Sequence, residues 1–357
     1  MPSPSAGRRA APRPPSWWSR VGRRLAGGVP GRVPVPGARL LLVVGAVLVL
    51  AGLGCLVSSL LGVGPAWVGD AGVVAVAAVY AATLAGRVGG RPLPVGAAAL
   101  VTAGVTVWTD NEVLRAGAAV LLTVVAAVLA VMVTVPAVRT LHAVREVVVA
   151  LLVSAVGAFA AIGFEPTVGL TRFEYVTLGL AFLTMLGFVH RLGAGFHGLG
   201  RRGLAIVLVG GLMLAVTLAY AELLRRYGSP GVVDVVFTTV AWMRENLGAV
   251  PRPIEVLLGI PALAWGCHMR ARRRQGWWVC AFGVAATVPV GHSLMNPDAS
   301  VLEAVLGQGY SLVLGLVLGY VVIRVDLALT GQRGSRARRA EEAAAVRPEP
   351  TRTRPLQ

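Results

Sequence analysis

The sequence predicts an all-α integral membrane protein: a bundle of about ten transmembrane helices with both termini in the cytoplasm. Composition is the first observation, because 56% of the residues are hydrophobic and only 14% are charged, whereas roughly a quarter of the residues in soluble proteins are charged. The second observation is a series of apolar runs of about 20 residues, the length that spans a bilayer as a helix. The third is the uneven distribution of arginine along the chain.

The first 39 residues, MPSPSAGRRAAPRPPSWWSRVGRRLAGGVPGRVPVPGAR, contain no apolar core. Pro, Gly and Arg dominate this stretch, a composition typical of disordered segments. An apolar run from Leu40 to about Leu61 follows, and it is too long for the core of a secretory signal peptide. We therefore expect a disordered basic arm at residues 1–39 and an uncleaved first transmembrane span after it.

Ten apolar segments make up the transmembrane bundle that we predict over residues 40–330. The connectors between most of them are brief, which places consecutive helices antiparallel and side by side. The third run is short. The predicted spans are 40–62, 66–86, 94–109, 116–135, 147–165, 173–190, 203–222, 253–269, 276–294 and 302–324.

Arginine predicts the orientation, because basic residues flank transmembrane helices on the cytoplasmic side. With the N-terminus inside, only six of the 33 basic residues, all of them arginine, fall in outer segments: Arg115, Arg172, Arg225, Arg226, Arg244 and Arg252. Most acidic residues fall outside. An even number of spans then leaves residues 331–357 inside, as a disordered basic tail. This pattern favours a multi-pass protein of a bacterial plasma membrane.

The net charge of +17 predicts partners as well as orientation. We expect the basic face to attract anionic lipid headgroups at the cytoplasmic surface. Nucleic acid is not expected, because the sequence shows no folded soluble domain. Gly315 and Gly319 form a GxxxG pair that lets two helices approach closely. Packing within the bundle is the favoured interpretation of this pair; self-association or a membrane-protein partner is the alternative.

The longest outer connector, residues 225–253, predicts an interfacial helix over about 229–247. Ser229 and Pro230 suit the start of a helix, and Gly248 suits its end. Thr238 and the neighbouring charges lie largely off a stripe of apolar residues at helical spacing, which consists of Val233, Val236, Phe237, Val240, Met243 and Leu247. The helix either completes the bundle or serves as a lid or docking site.

Ionisable and polar residues inside apolar spans are the best candidates for a site, because burying them in hydrocarbon is costly. Those in this chain lie near the predicted outer ends of the spans. His292 and Asn296 share one helical face, and Asp298 and Ser300 are expected to cap the last span. We predict an outer polar cavity lined by Asp70, Glu222, His292, Asn296, Glu303, Gln308 and Tyr310.

No standard catalytic motif is present, since HExxH, GxSxG and the P-loop are all missing. Cys55, Cys267 and Cys280 form no CxxC pair, and we predict no metal, cofactor or catalytic residues. Three classes of function remain. The first is a permease-like protein that moves a small or lipid-like molecule through the outer cavity, and it is favoured by analogy alone. A non-catalytic scaffold or accessory subunit in envelope assembly is nearly equal to it. An enzyme acting on a lipid-linked substrate at the outer leaflet is the least favoured.

Overall fold

The computed structural model describes residues 37–65, 67–192, 208–216, 219, 227–228, 230–272, 275–330 and 349–356. These residues form helices, and no strand occurs among them. Within the described ranges, eight helices are long and apolar enough to cross a membrane, which is consistent with a polytopic membrane protein. Residues 44–357 form one compact unit, and the first residues of the first helix belong to a separate unit over residues 1–43.

The helices are labelled in chain order. They are α1 Gly37–Leu60, α2 Trp67–Arg87, α3 Pro92–Thr109, α4 Glu112–Met132, α5 Thr140–Ile162, α6 Leu170–Arg191, α7 Pro230–Leu247, α8 Ile260–Arg270, α9 Gly276–Ala281, α10 Val284–Met295 and α11 Val301–Thr330. A π-helical turn at Glu255–Gly259 runs directly into α8, and residues 208–216 are also helical. Helices α9 and α10 together make one candidate span over Gly276–Met295.

Polar residues at the short connectors explain where several helices begin and end. Pro92 begins α3, where its missing N–H costs no helical hydrogen bond. Asp110 ends α3 in the left-handed conformation, with a φ of 50°. Asn111 then caps α4, because its side-chain oxygen accepts hydrogen bonds from the backbone N–H groups of Val113 and Leu114 at 2.9 and 3.2 Å. The chain therefore reverses direction within two residues.

The predicted spans and the observed helices differ most at α5. This helix begins at Thr140, whereas the sequence placed the start of the fifth span at residue 147. The sequence placed Arg145 and Glu146 in the preceding loop because both are charged. In the structure Glu146 lies in the helix, where it is buried and paired with Arg145. Half of the seventh predicted span, 203–222, falls outside the described residues. The eighth, 253–269, corresponds to the π-helical turn and α8, which are not among the eight candidate spans. The count of ten stays a prediction.

Small residues bring α4, α5 and α10 into close contact in the core. A Cβ added to Gly157 of α5 would lie 2.3 Å from the Cβ of Ala126 in α4. The hydroxyl of Ser154 in α5 donates to the backbone oxygen of Thr287 in α10 at 2.6 Å. Close backbone approach of this kind is how helices associate in lipid, where no hydrophobic drive favours their contact.

The GxxxG pair of α11 packs against the same chain. A Cβ added to Gly315 would lie 2.7 Å from Ile260, and one added to Gly319 would lie 3.2 Å from Ala264. Both contacts are with α8, so the two glycines serve packing between α11 and α8. A single chain does not test self-association, which stays a prediction.

Polar contacts join the helix ends in two separate groups. We call one group the basic end, defined by Arg87, Thr134, Glu146 and Arg270. At this end the backbone N–H of Ala137 donates a hydrogen bond to the backbone oxygen of Cys267 at 2.9 Å. The other is the acidic end, defined by Asp110, Glu112, Arg115 and Glu165, where Arg115 pairs with Asp110 at 2.8 Å and Glu165 at 3.4 Å. The arginine pattern assigns the basic end to the inner face and the acidic end to the outer face. The side of the membrane on which each end lies stays a prediction.

Helix α7, Pro230–Leu247, has the bounds that the sequence predicts to within one residue. Its half-buried residues include Val233, Val236, Val240 and Met243, which recur at helical spacing on one face. Thr238, Arg244 and Glu245 are exposed, as expected, but Phe237 and Leu247 of the predicted apolar stripe are exposed too. The stripe in the structure is therefore narrower than the predicted one. Its interfacial position in a membrane stays a prediction.

Residues 349–356, which we expected to be disordered with the rest of the tail, lie against the basic end. Arg352 pairs with the buried Glu146, and Glu349 pairs with the buried Arg270 at 2.6 Å. The composition of the tail suggested disorder, but its charges meet opposite charges on the bundle. Residues 331–348 lie outside the described part of the chain, so the expectation of disorder there stays a prediction.

Candidate functional site

Glu255 is an ionisable residue that is completely buried and, among the residues that the structure describes, only partly hydrogen-bonded. Its side chain is completely buried at the start of the π-helical turn. The Oε2 atom accepts a hydrogen bond from Nε2 of Gln308 at 3.0 Å. Among the described residues, no group donates a hydrogen bond to the buried Oε1 atom. A carboxylate oxygen without a donor is costly to bury, so Glu255 is a candidate binding group.

The π-helical turn that carries Glu255 has a local cause in Pro261. Pro261 has no N–H to donate to the residue four positions earlier, and its ring crowds that carbonyl. The helix instead takes a wider turn, in which the N–H of Ile260 donates to the oxygen of Glu255. Turns of this type occur often at functional sites.

Gly259 fixes the position of this turn against α10. A Cβ added to Gly259 would lie only 2.2 Å from the backbone nitrogen of Ala286. Only glycine permits so close an approach of two backbones, because every other residue would place a side-chain atom at that point. The turn is thus held directly on α10, the helix that also carries His292.

Polar groups from α11 lie on one side of Glu255. Gln308 and Ser311 are three residues apart and so share one helical face. Gln308 donates to Glu255, and the hydroxyl of Ser311 accepts a hydrogen bond from the backbone N–H of Arg252 at 2.9 Å. Both contacts tie α11 to the segment that leads into the π-helical turn.

Charged groups from α6 and α10 complete the cluster. Nδ1 of His292 lies 3.7 Å from Oε2 of Glu174. Arg252 Nη1 donates to the backbone oxygen of Pro289 in α10 at 3.4 Å. The charges of both Arg252 and Glu174 act on Glu255. We call Glu174, Arg252, Glu255, His292, Gln308 and Ser311 the Glu255 cluster; it contains one guanidinium, two carboxyl groups and one imidazole.

The structure brings together only some of the seven residues predicted to line an outer cavity. His292 and Gln308 belong to the Glu255 cluster. Glu303 pairs instead with Arg244 of α7 at 3.4 Å, and the hydroxyl of Tyr310 donates to the oxygen of Leu247 at 2.8 Å. Asp70 lies within range of the charges of Arg115, Glu165 and Asp110 at the acidic end. Glu222 lies outside the described residues. The cavity itself stays a prediction.

The connector after α10 differs from its prediction. The side-chain oxygen of Asn296 accepts a hydrogen bond from the N–H of Asp298 at 3.0 Å, so Asn296 shapes the turn. Ser300 caps α11 as predicted, accepting from the N–H of Glu303 at 3.0 Å. Asp298 is exposed, and the turn uses its backbone N–H. The capping role expected for Asp298 belongs to Ser300 alone, because Ser300 directly precedes the helix.

Sequence reasoning missed Glu255 as a site residue and assigned it to an outer helix end. One signal could have identified it: a glutamate inside a predicted span, between Pro253 and Pro261. Within the described ranges, no group of three or more His, Cys, Asp or Glu side chains is arranged to hold a metal ion. The side chains of the cluster can form hydrogen bonds, carry charge and transfer protons.

Comparison of the chain with protein-family models, with curated proteins and with solved structures gives no match. The class of protein rests on the molecule itself. Its long apolar helices are consistent with a polytopic membrane protein, and Glu255 and Ser311 of the Glu255 cluster are completely buried.

Proposed function

We propose that this protein is a permease whose Glu255 cluster binds the transported solute. The observation that supports this proposal is the completely buried carboxyl group of Glu255, whose Oε1 atom lacks a hydrogen-bond donor among the described residues. Ionisable residues within membrane helices usually mark the path of an ion or solute, because their burial has a cost that only function offsets.

The irregular turn supports the same proposal. Transporters often place their binding sites beside irregular helical backbone, because such backbone lines the solute path. The π-helical turn Glu255–Gly259 is an irregular turn at the start of the helix that continues as α8, and it faces α10 and α11. A rearrangement of these three elements would change access to Glu255 without unfolding any helix.

The chemistry of the cluster favours a solute with a hydrogen-bond donor or a positive charge. An ionised Glu255 accepts hydrogen bonds and offers none, so its free oxygen suits an amine, a hydroxyl group or a proton. Gln308 orients the other oxygen. His292 and Glu174 lie beside each other, 3.7 Å apart, and form a second pair of groups in the cluster that can take up or release a proton.

The test is whether the cluster is accessible from both sides of the membrane in turn. Ser311 is a completely buried member of the cluster, and Ser311→Cys changes its volume little. We would introduce it into a chain whose three native cysteines are replaced by alanine. Right-side-out and inside-out vesicles would then be treated with a membrane-impermeant thiol reagent. A permease that alternates its access should be labelled in both preparations.

Two positions on the same helix provide controls. Glu303→Cys, at the start of α11, should be labelled from one side only, and Val313→Cys, which is 61% exposed on an apolar face, from neither. Labelling of Ser311→Cys only from the side of Glu303 would contradict transport and favour an enzyme or binding site at that leaflet. Labelling from neither side would favour a scaffold.

A further inference from the structure

A segment after α11 returns to the bundle and docks at the basic end. We call residues 349–356, EPTRTRPL, the strap. Its Glu349 side chain is only 6% exposed, that of Arg352 is 30% exposed, and Leu356 is 7% exposed. The strap is charged, yet these three side chains are largely shielded from solvent, so the strap is bound to the surface of the bundle.

Arg87, at the end of α2, holds the strap through its main chain. Its Nη1 atom donates to the backbone oxygens of Thr351 and Arg354, and its own backbone oxygen accepts from the N–H of Leu356 at 2.9 Å. Its Nε atom donates to the oxygen of Met132 at 2.7 Å. The same guanidinium therefore contacts the strap and the end of α4.

Two ion pairs of opposite polarity fix the position of the strap along the bundle. Arg270 of the bundle donates to Glu349 of the strap at 2.6 Å, and Arg352 of the strap donates to both oxygens of Glu146. Arg270 and Glu146 are completely buried. Because the charges alternate in sign, a segment docked in another register would place like charges together. The strap thus matches this site specifically.

The site for the strap is built by the bundle itself. Arg270 also donates to the hydroxyl and backbone oxygens of Thr134 at 2.7 and 3.0 Å, and its guanidinium lies 3.5 Å from the ring centroid of Trp277. Glu146 also accepts from the N–H of Val135 and pairs with Arg145. These partners remain in place if the strap leaves, so the strap resembles a ligand more than a part of the core.

The balance of forces makes release of the strap feasible. Attraction within a buried ion pair is offset by the loss of hydration of both charges. Docking is favoured because residues 331–348 connect the strap covalently to α11, which makes binding intramolecular. A modest change in the strap should therefore shift the equilibrium between docked and released states.

We propose that the strap is an intramolecular ligand that holds the basic end of the bundle closed. It contacts the end of α2 through Arg87 and the segment after α4 through Val133. It also contacts α5 through Glu146 and α8 through Arg270. These elements cannot separate at this end while one segment binds all of them. Release of the strap removes that restraint and lets the basic end open.

Two native cysteines report such an opening. Cys267 and Cys280 are completely buried near Arg270, and the third cysteine, Cys55, would be replaced by serine. The test variant, Glu349→Arg with Arg352→Glu, reverses both strap charges without changing the net charge. In lipid nanodiscs, reaction with N-ethylmaleimide should become faster by about tenfold or more, the effect expected when charge-assisted hydrogen bonds are lost.

A matched control and a competitor complete the experiment. Arg354 is exposed and contacts Arg87 through its backbone oxygen, so Arg354→Gln should leave the rate unchanged. The peptide EPTRTRPL, added to the test variant, should slow the reaction again, and a scrambled peptide should not. An unchanged rate in the test variant would overturn the proposal. So would a faster rate that the peptide does not lower, because the substitutions would then have loosened the bundle itself. No transported solute enters this measurement, so its result is independent of the Ser311 labelling.

Discussion

Glu255 combines complete burial with incomplete hydrogen bonding. Gln308 satisfies one oxygen, and among the described residues the other has no donor. Leaving a buried polar group unsatisfied costs about 1–3 kcal/mol of folding stability. Proteins retain such costs mainly where function requires them, and removing one commonly stabilises the fold. The stability of a Glu255 variant is therefore informative.

Glu255→Gln should keep the shape of the site and remove the charge that is costly to bury. We expect an unfolding midpoint in detergent that is unchanged or higher, by an amount equivalent to about 1 kcal/mol. Glu245→Gln, at an exposed position of α7, is the matched control and should show no shift. A clearly lower midpoint for Glu255→Gln would mean that Glu255 serves structure, and it would weaken the proposed function.

The connector before α11 allows a second residue-level test. Ser300→Ala should lower the free energy of unfolding by about 1 kcal/mol, because the N–H of Glu303 loses its cap. Asp298→Ala should have little effect, since Asp298 contributes its backbone N–H to the turn and its side chain is exposed. Chemical or thermal unfolding of both variants would check this. Equal destabilisation would show that Asp298 has the capping role that the sequence suggested.

The individual elements were predictable to different degrees. Helices such as α2 and α4 follow directly from long apolar runs, since length and composition determine whether a segment can span a bilayer. The π-helical turn was not predicted. It depends on Pro261, which the sequence shows, and on contact between Gly259 and Ala286, which only the packed structure shows. The start of α5 was misplaced because one partner of the buried Glu146, Arg352, lies far along the chain, in the strap.

The contact of the π-helical turn with α10 predicts the effect of enlarging Gly259. Gly259→Ala should destabilise the protein by about 1–3 kcal/mol, because the new Cβ would overlap the backbone at Ala286. Gly187→Ala in α6 is the matched control: among the described residues, no atom lies within 4 Å of the added Cβ. Thermal unfolding would measure both. Equal midpoints would show that the turn and α10 are farther apart than the structure indicates.

Helix α7 predicts a pattern of accessibility along one element. With the native cysteines removed, Thr238→Cys should react readily with an impermeant thiol reagent, because residue 238 is exposed on the polar face. Val236→Cys and Val240→Cys should react slowly, since both positions are half-buried on the opposite stripe. Similar rates at all three positions would contradict a helix with one face against the bundle or bilayer.

At the scale of the whole molecule, the sequence predicted polar candidates but not which of them meet. Gln308 and His292 were selected because they are polar within apolar spans, and both lie in the Glu255 cluster. Asp70 met the same criterion yet lies at the acidic end. The difference arises from helix packing, which a single sequence does not encode in any local pattern. The strap was missed for the same reason, because its composition resembles that of disordered tails.

The two polar ends also make the orientation in the membrane testable. Residues around Arg139 belong to the basic end, and residues around Gly169 belong to the connector that follows α5 at the acidic end. Because basic residues are retained in the cytoplasm, a reporter fused after Arg139 should be active only as a cytoplasmic reporter. Reporters fused after Asp110, Gly169 or Gly248 should be active only outside. The strap then faces the cytoplasm, and the start of α11, with Glu303, faces the outside. Opposite results at two or three of these four positions would contradict the ten-span topology. Reversal at all four would preserve the alternation of helices and invert the protein.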